Sequence, residues 1–125
     1  MKGSLFLILG LAPLAAHAVC YVSGGVGVEN RDEMKAVANQ YNLHIVFSQN
    51  ETGAYLADVP VSIRNSAGEE ILNIVSQGPW LYARLPEGAY TVIAGHDGDH
   101  QRRQVEIAGG ESKALFFNWS KEPTV

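Results

Sequence analysis

One cysteine, Cys20, stands among 125 residues, so no internal disulfide can form, although small exported domains commonly depend on them. Basic residues are also scarce. Nine Lys and Arg face thirteen Asp and Glu, for a formal charge of −4. That balance argues against nucleic acid and anionic lipid as partners, because both are held by Lys and Arg facing phosphate. The apolar run Leu5–Ala12 is well short of the ~20 residues that a membrane helix needs. There is no internal repeat and no low-complexity stretch, so nothing suggests a solenoid or a biased linker.

What is present begins with an export signal. Met1-Lys2-Gly3-Ser4 is a short positive start, the run Leu5–Ala12 follows, and Ala16-His17-Ala18 supplies small residues at the −3 and −1 positions that a signal peptidase requires. Residues 1–18 are read as a secretory signal cleaved after Ala18, which makes the protein periplasmic or secreted, with no transmembrane span after cleavage. Removing Lys2 takes the charge to −5. About 107 residues remain, enough for one core that buries roughly two-thirds of the unfolded surface. A lipid anchor on Cys20 would call for an apolar residue three places before it and a small one immediately before; His17 and Val19 stand there instead.

Residues 19–28 are read as a flexible lead-in, 29–120 as a single domain and 121–125 as a frayed tail. Ser23-Gly24-Gly25-Val26-Gly27 has neither a preceding strand nor a closing lysine, so it does not qualify as a phosphate-cradling loop. Asn30 and Glu33 have the spacing of a capping pair. Met34, Val37, Ala38 and Tyr41 then form one apolar stripe of a helix over about 31–41. From Leu43 the period falls to two. Strands are expected at about 43–49, 55–65, 69–76, 80–85, 89–96, 99–107 and 112–119, separated by turn residues such as Asn65-Ser66-Ala67-Gly68. Seven short strands and one helix predict a mainly β, seven-stranded antiparallel sandwich, with the helix stripe buried on one sheet.

The chemistry-bearing residues are sparse. Glu69-Glu70 are successive strand residues that face opposite sides and cannot act together. Ser62 and Ser76 are ordinary strand residues, and no histidine is tied to Cys20 by context. Asn50-Glu51-Thr52 and Asn118-Trp119-Ser120 match the glycosylation acceptor pattern, which we expect to be idle in a bacterial periplasm. In Pro79–Leu85 the alternation sets Leu81, Ala83 and Leu85 on one face and Trp80, Tyr82 and Arg84 on the other. Those last three form a candidate ridge for a protein or carbohydrate partner, unless the helix covers them. Gly95-His96-Asp97-Gly98-Asp99-His100 looks like a metal cluster. Asp97-Gly98, however, predicts a type I′ hairpin that points His96 and His100 to opposite faces. A three-residue loop would instead gather His96, Asp99 and His100 as metal ligands.

Leu85-Pro86-Glu87-Gly88-Ala89-Tyr90-Thr91-Val92 has legible physics of its own. Proline presets the second position of a turn, glycine suits the fourth, and Tyr90 and Val92 share the inward face of the next strand. With Asp58-Val59-Pro60-Val61-Ser62-Ile63 before it, this stretch resembles the carboxypeptidase regulatory-like domains, across about Tyr55 to Trp119. The resemblance implies a transthyretin-like (prealbumin-type) β-sandwich in its helix-first form, known from small exported bacterial proteins. It also implies an accessory, non-enzymatic interaction module that needs no cofactor, with an envelope protein or a carbohydrate as partner. Hydroxyisourate hydrolases share that fold and end on a Tyr-Arg-Gly-Ser-like tetrapeptide that helps build their active site. This chain ends Glu122-Pro123-Thr124-Val125, which weighs against a hydrolase.

Overall fold

A computed structural model of the chain describes residues 19–49 and 56–120. The expected signal 1–18, the Asn50-Glu51-Thr52 pattern, the first residue of the second expected strand and the tail 121–125 lie outside the described residues.

Two four-stranded sheets face each other. Sheet A runs β1 (Cys20–Gly24), β5 (Trp80–Arg84), β2 (Leu43–Gln49) and β8 (Lys113–Trp119). Sheet B runs β4 (Glu70–Ser76), β3 (Val59–Asn65), β6 (Gly88–His96) and β7 (Asp99–Ile107). The helix α1 (Val28–Val37) leads into a 3-10 turn at Ala38–Gln40. The seven expected strands all form within a few residues of their expected bounds. An eighth, β1, occupies the stretch read as a flexible lead-in.

That correction has a tertiary cause. Residues 20–24 pair antiparallel with β5, so that Val22 lies across from Tyr82 and Ser23 across from Leu81. The strand exists because β5 offers it an edge, which no local pattern announces. Gly25 at φ 100° and Gly27 at φ 84° then turn the chain into α1, conformations that favour glycine. The helix begins three residues before the expected start, with Gly27 at its N-cap and no side-chain cap. Asn30 is therefore inside the helix. Its Oδ1 accepts from the Gly25 N–H, tying the helix to β1, and its Nδ2 donates to Glu33 Oε1 at 3.2 Å.

The sandwich is also not wholly antiparallel, because β2 and β8 pair in parallel from Leu43↔Lys113 to Gln49↔Trp119. A parallel pair needs a long crossover. Here β3 to β7 supply it, since the chain visits sheet B twice between those two strands.

The core follows the period of two. Leu43, Ile45 and Phe47 from β2 meet Val61 and Ile63 from β3, Val92 and Ala94 from β6 and Phe117 from β8, each at most 1 % exposed. The Phe47 and Phe117 rings lie 5.8 Å apart. Leu81 and Ala83 of β5 point into the same cluster. At the corner before β6 the Tyr90 hydroxyl donates to the Pro86 carbonyl at 2.7 Å, a tyrosine corner that ties the β5–β6 connection to the strand it starts. Asn42 holds the other side of that connection. Its Nδ2 donates to the Leu85 carbonyl and its Oδ1 accepts from the Leu85 N–H, both at 2.9 Å.

Where β7 and β8 meet, side chains close the seam. Gln101 Nε2 donates to the Asn118 carbonyl at 2.7 Å, Trp119 Nε1 donates to the Asp99 carbonyl at 3.0 Å, and the Arg103 guanidinium sits 4.9 Å from the Phe117 ring centre. An edge capped this way resists pairing with a foreign strand.

Candidate functional site

Strand β5 alternates as expected, which sets Trp80, Tyr82 and Arg84 on the outer face of sheet A. The register extends each of them into a row. Gly24, Trp80, Val46 and Phe116 lie side by side across the four strands, and Val22, Tyr82, His44 and Ala114 form the next row. The helix and its 3-10 turn are seated on this face. Met34 and Tyr82 are both buried, at 3 % and 7 % exposure, yet neither belongs to the cluster between the sheets.

The expected ridge is therefore not one exposed surface. Tyr82 is enclosed by Tyr41, with ring centres 6.0 Å apart, and by His44 at 4.5 Å. Burial pushes its hydroxyl pKa up. His44 Nε2 lies 2.9 Å from the Ala38 carbonyl; a carbonyl only accepts, so that nitrogen carries the proton. Trp80 is half-buried, stacked on Tyr82 at 6.4 Å, and the Gly25 backbone lies so close that an added Cβ would come within 3.1 Å of the indole. Only Arg84 is exposed, and its Nε donates to the Gln40 carbonyl at 2.8 Å. Of the expected stripe only Met34 is buried: the α-helix ends at Val37, Ala38 falls in the 3-10 turn, and Tyr41 follows it in extended backbone, where its ring packs on Tyr82.

One part of the face stays open. Phe116 is 61 % exposed, and beside it Val46 and Trp80 are half-buried. The row Trp80–Val46–Phe116 is an apolar strip beyond the reach of the helix, and an exposed apolar strip is the kind of surface partners bind. Phe116 went unnoticed in the sequence although the signal was there. If Phe117 and Trp119 point inward, the period of two forces Phe116 outward.

The hairpin at the far end forms as the Asp97-Gly98 pair predicts. Asp97 has φ 51° and Gly98 φ 78°, with His96 opposite Asp99 and Gly95 opposite His100, the two positive values a type I′ turn requires. His96 turns toward sheet A, where its ring centre lies 5.6 Å from that of Trp119. His100 lies on the outer face over Gly95, close enough that a Cβ there would come within 2.9 Å of the imidazole. The arrangement separates His96 from His100, so the alternative ligand set His96, Asp99 and His100 does not converge. Among the described residues no group of three or more His, Cys, Asp or Glu is placed to hold a metal ion. His96 Nε2 approaches Asp97 Oδ2 at 3.5 Å, rather than Asp99 as the strand pairing suggested.

Other reactive groups are occupied or isolated. The Ser76 hydroxyl is buried and donates to the Gly78 carbonyl at 2.7 Å. Cys20 is a free, exposed thiol on the edge strand β1. Among the described residues no helix is long and apolar enough to cross a membrane.

The family model described as the Rhizobiales growth-associated tandem repeat domain matches residues 40–115, from the end of the 3-10 turn into β8. No curated protein matches the chain. Among solved structures, the 5-hydroxyisourate hydrolase of Klebsiella pneumoniae is similar, with a TM-score of 0.53 at 20 % identity, over 65 % of this chain and 90 % of that one. At that identity the likeness speaks to the fold, a transthyretin-like β-sandwich.

Proposed function

The chain belongs to the Rhizobiales growth-associated tandem repeat domain family, and from that premise we propose that it is a non-enzymatic, exported interaction module that binds an envelope protein. The observation that carries this reading is the apolar strip Trp80–Val46–Phe116 on a sheet whose helix covers only the neighbouring row. Burying Phe116 against a partner would contribute on the order of 1.5–3 kcal/mol, enough for an anchor residue at the centre of an interface. The family description supports a role in growth, and the export-signal pattern read in residues 1–18 supports the envelope as the place. A carboxypeptidase regulatory-like ancestry is supported by the Leu85–Val92 stretch, in which Tyr90 and Val92 point inward as expected.

The test is photo-cross-linking in living cells. A benzophenone side chain at position 116 should give a discrete adduct in the envelope fraction, and one at Thr91 on sheet B should give none. Equal labelling from both faces, or none from position 116, would count against the strip. Intact mass of the envelope-derived protein checks export, with a chain starting at Val19 expected. The hydrolase reading rests on the neighbour's name. Turnover of 5-hydroxyisourate by the purified chain would establish it.

A further inference from the structure

A second surface lies apart from the apolar strip, at the end of the sandwich where three connections converge. The 3-10 turn with Tyr41, the β5–β6 corner with Arg84 and Glu87, and the β7–β8 turn at Gly109–Ser112 enclose an open cleft of about 360 Å³. That size is at the lower end of small-molecule sites, about 300–1,000 Å³. We propose that this cleft is a binding site for a neutral saccharide.

Its walls are fixed before any ligand arrives. The corner is held by the Tyr90–Pro86 latch and by Asn42, and the Arg84 guanidinium is aimed by its Nε bond to the Gln40 carbonyl. The Glu87 carboxylate lies against Gly109, in the space that a Cβ there would take. The Tyr41 ring rests on Tyr82, which keeps it from folding away. Preorganisation of this kind lowers the ordering cost of binding.

The groups left over select the ligand. Among the described residues, the Arg84 terminal nitrogens, the Glu87 carboxylate, and the Tyr41 and Ser112 hydroxyls make no hydrogen bond. Glu111, the other carboxylate of the cleft, is offset by Lys113 at 3.8 Å. Arg84 and Glu87 then cancel. A phosphate or carboxylate ligand would meet Glu87, and an ammonium ligand would meet Arg84. A ring bearing neighbouring hydroxyls satisfies both, donating to Glu87 and accepting from Arg84, while its C–H face lies on the Tyr41 ring. Of the ridge Trp80, Tyr82 and Arg84 expected to meet a protein or carbohydrate, only Arg84 lines this cleft, and Tyr41 supplies the aromatic ring. The cleft does not include Phe116, so this inference stands or falls separately from the protein-binding strip.

Amide-detected NMR titration of the chain with cellobiose and with N,N′-diacetylchitobiose tests it. At least one disaccharide should produce saturable shifts centred on Tyr41, Gly109, Gly110 and the Arg84 side chain, with affinity on the order of millimolar. Glu87→Gln holds no structural bond and should fold normally, and it should weaken binding about tenfold by removing a charged acceptor. Arg84→Met should do the same, and Phe116→Ser should leave it unchanged. Absence of saturable shifts with both sugars would overturn the proposal. So would shifts that survive Glu87→Gln in full, or equal saturation by glycylglycine or inorganic phosphate.

Discussion

On the outer face of sheet A, Trp80, Tyr82, Val46 and Phe116 stand in rows, and a helix is laid over part of them. On the outer face of sheet B the corresponding positions are mostly polar, Ser62, Arg64, Asn73, Thr91, Arg102 and Gln104, with Pro60, Val75 and Ile93 as apolar members, Val75 at 55 % exposure, and no helix lies there. Both sheets contribute buried apolar side chains to the core between them. The difference lies outside it. Sheet B carries mostly polar side chains, of which Ser62, Glu70 and Asn73 bond one another and Val75 is the exposed apolar one, whereas sheet A carries aromatic rows that its helix covers only in part. The uncovered remainder is what a binding partner is expected to finish.

The sharpest way to break this comparison is to truncate one residue on each face. Tyr82→Ala should destabilise the chain by about 3–5 kcal/mol, as large aromatic truncations in a packed site do. Arg102→Ala on sheet B should stay within about 0.5 kcal/mol, as exposed substitutions usually do. Urea unfolding of the two variants measures both. If Tyr82→Ala is as mild as Arg102→Ala, the helix is not a cover in any energetic sense.

Two tyrosines allow a finer cut, since Tyr82 and Tyr90 are each 7 % exposed but stand on opposite sides of the core boundary. The Tyr90 hydroxyl is bonded to the Pro86 carbonyl, and the Tyr82 hydroxyl makes no bond among the described residues. Tyr90→Phe should therefore cost about 1 kcal/mol, and Tyr82→Phe should be close to neutral. Thermal unfolding of both, compared with the unaltered chain, reads the difference. A neutral Tyr90→Phe would demote the corner latch to an accident of packing.

What the sequence carried and what it did not can be traced to these same positions. The alternation in Val59–Ile63, Leu81–Leu85 and Tyr90–Ala94 and the positive-φ pair Asp97-Gly98 are local signals, and all of them form as read. The strand β1 was missed because Cys20-Tyr21-Val22-Ser23-Gly24 has little alternation and runs into glycines, and only the waiting edge of β5 makes it a strand. The parallel β2–β8 pair was missed because it joins residues some seventy apart, and strand direction leaves no local mark. The candidate ridge was placed on the correct face of β5. Its fate depended on where the helix came to rest, which the stripe Met34–Tyr41 leaves open.

Alkaline titration compares the two sides of the core again, with a smaller effect. Burial pushes the hydroxyl pKa up for both Tyr82 and Tyr90. A raised folded pKa means the unfolded chain ionises first. The contribution of each tyrosine to stability is thus complete below the ordinary tyrosine value, about 10, and is lost as pH rises through that value toward the folded one. Stability followed by denaturant midpoint should fall above about pH 10, and the fall should be shallower in Tyr82→Phe and in Tyr90→Phe. An unchanged slope in both variants would show that the two hydroxyls are not desolvated as their burial implies.

The smallest expected effect lies on the bare face of sheet B. Glu70 accepts from the Ser62 hydroxyl at 2.6 Å and from Asn73 Nδ2 at 3.2 Å. The Ser62 bond, then the Asn73 bond, hold its pKa below the ordinary carboxylate value against the opposing effect of desolvation, with the charge of Arg64 as the least of the causes. A lowered folded pKa contributes stability above the unfolded value, and that contribution is lost as pH falls through the folded one. The carboxylate is fully exposed, so water and salt screen most of the gain, and Glu70→Gln should leave the urea midpoint at neutral pH nearly unchanged. Its titration should still be visible. NMR of the Glu70 side chain should place it below the ordinary glutamate value, and Ser62→Ala should bring it back toward that value. If Ser62→Ala leaves the titration where it was, the hydrogen bonds that Glu70 makes on sheet B do not hold in solution, and the bareness of that sheet needs another explanation.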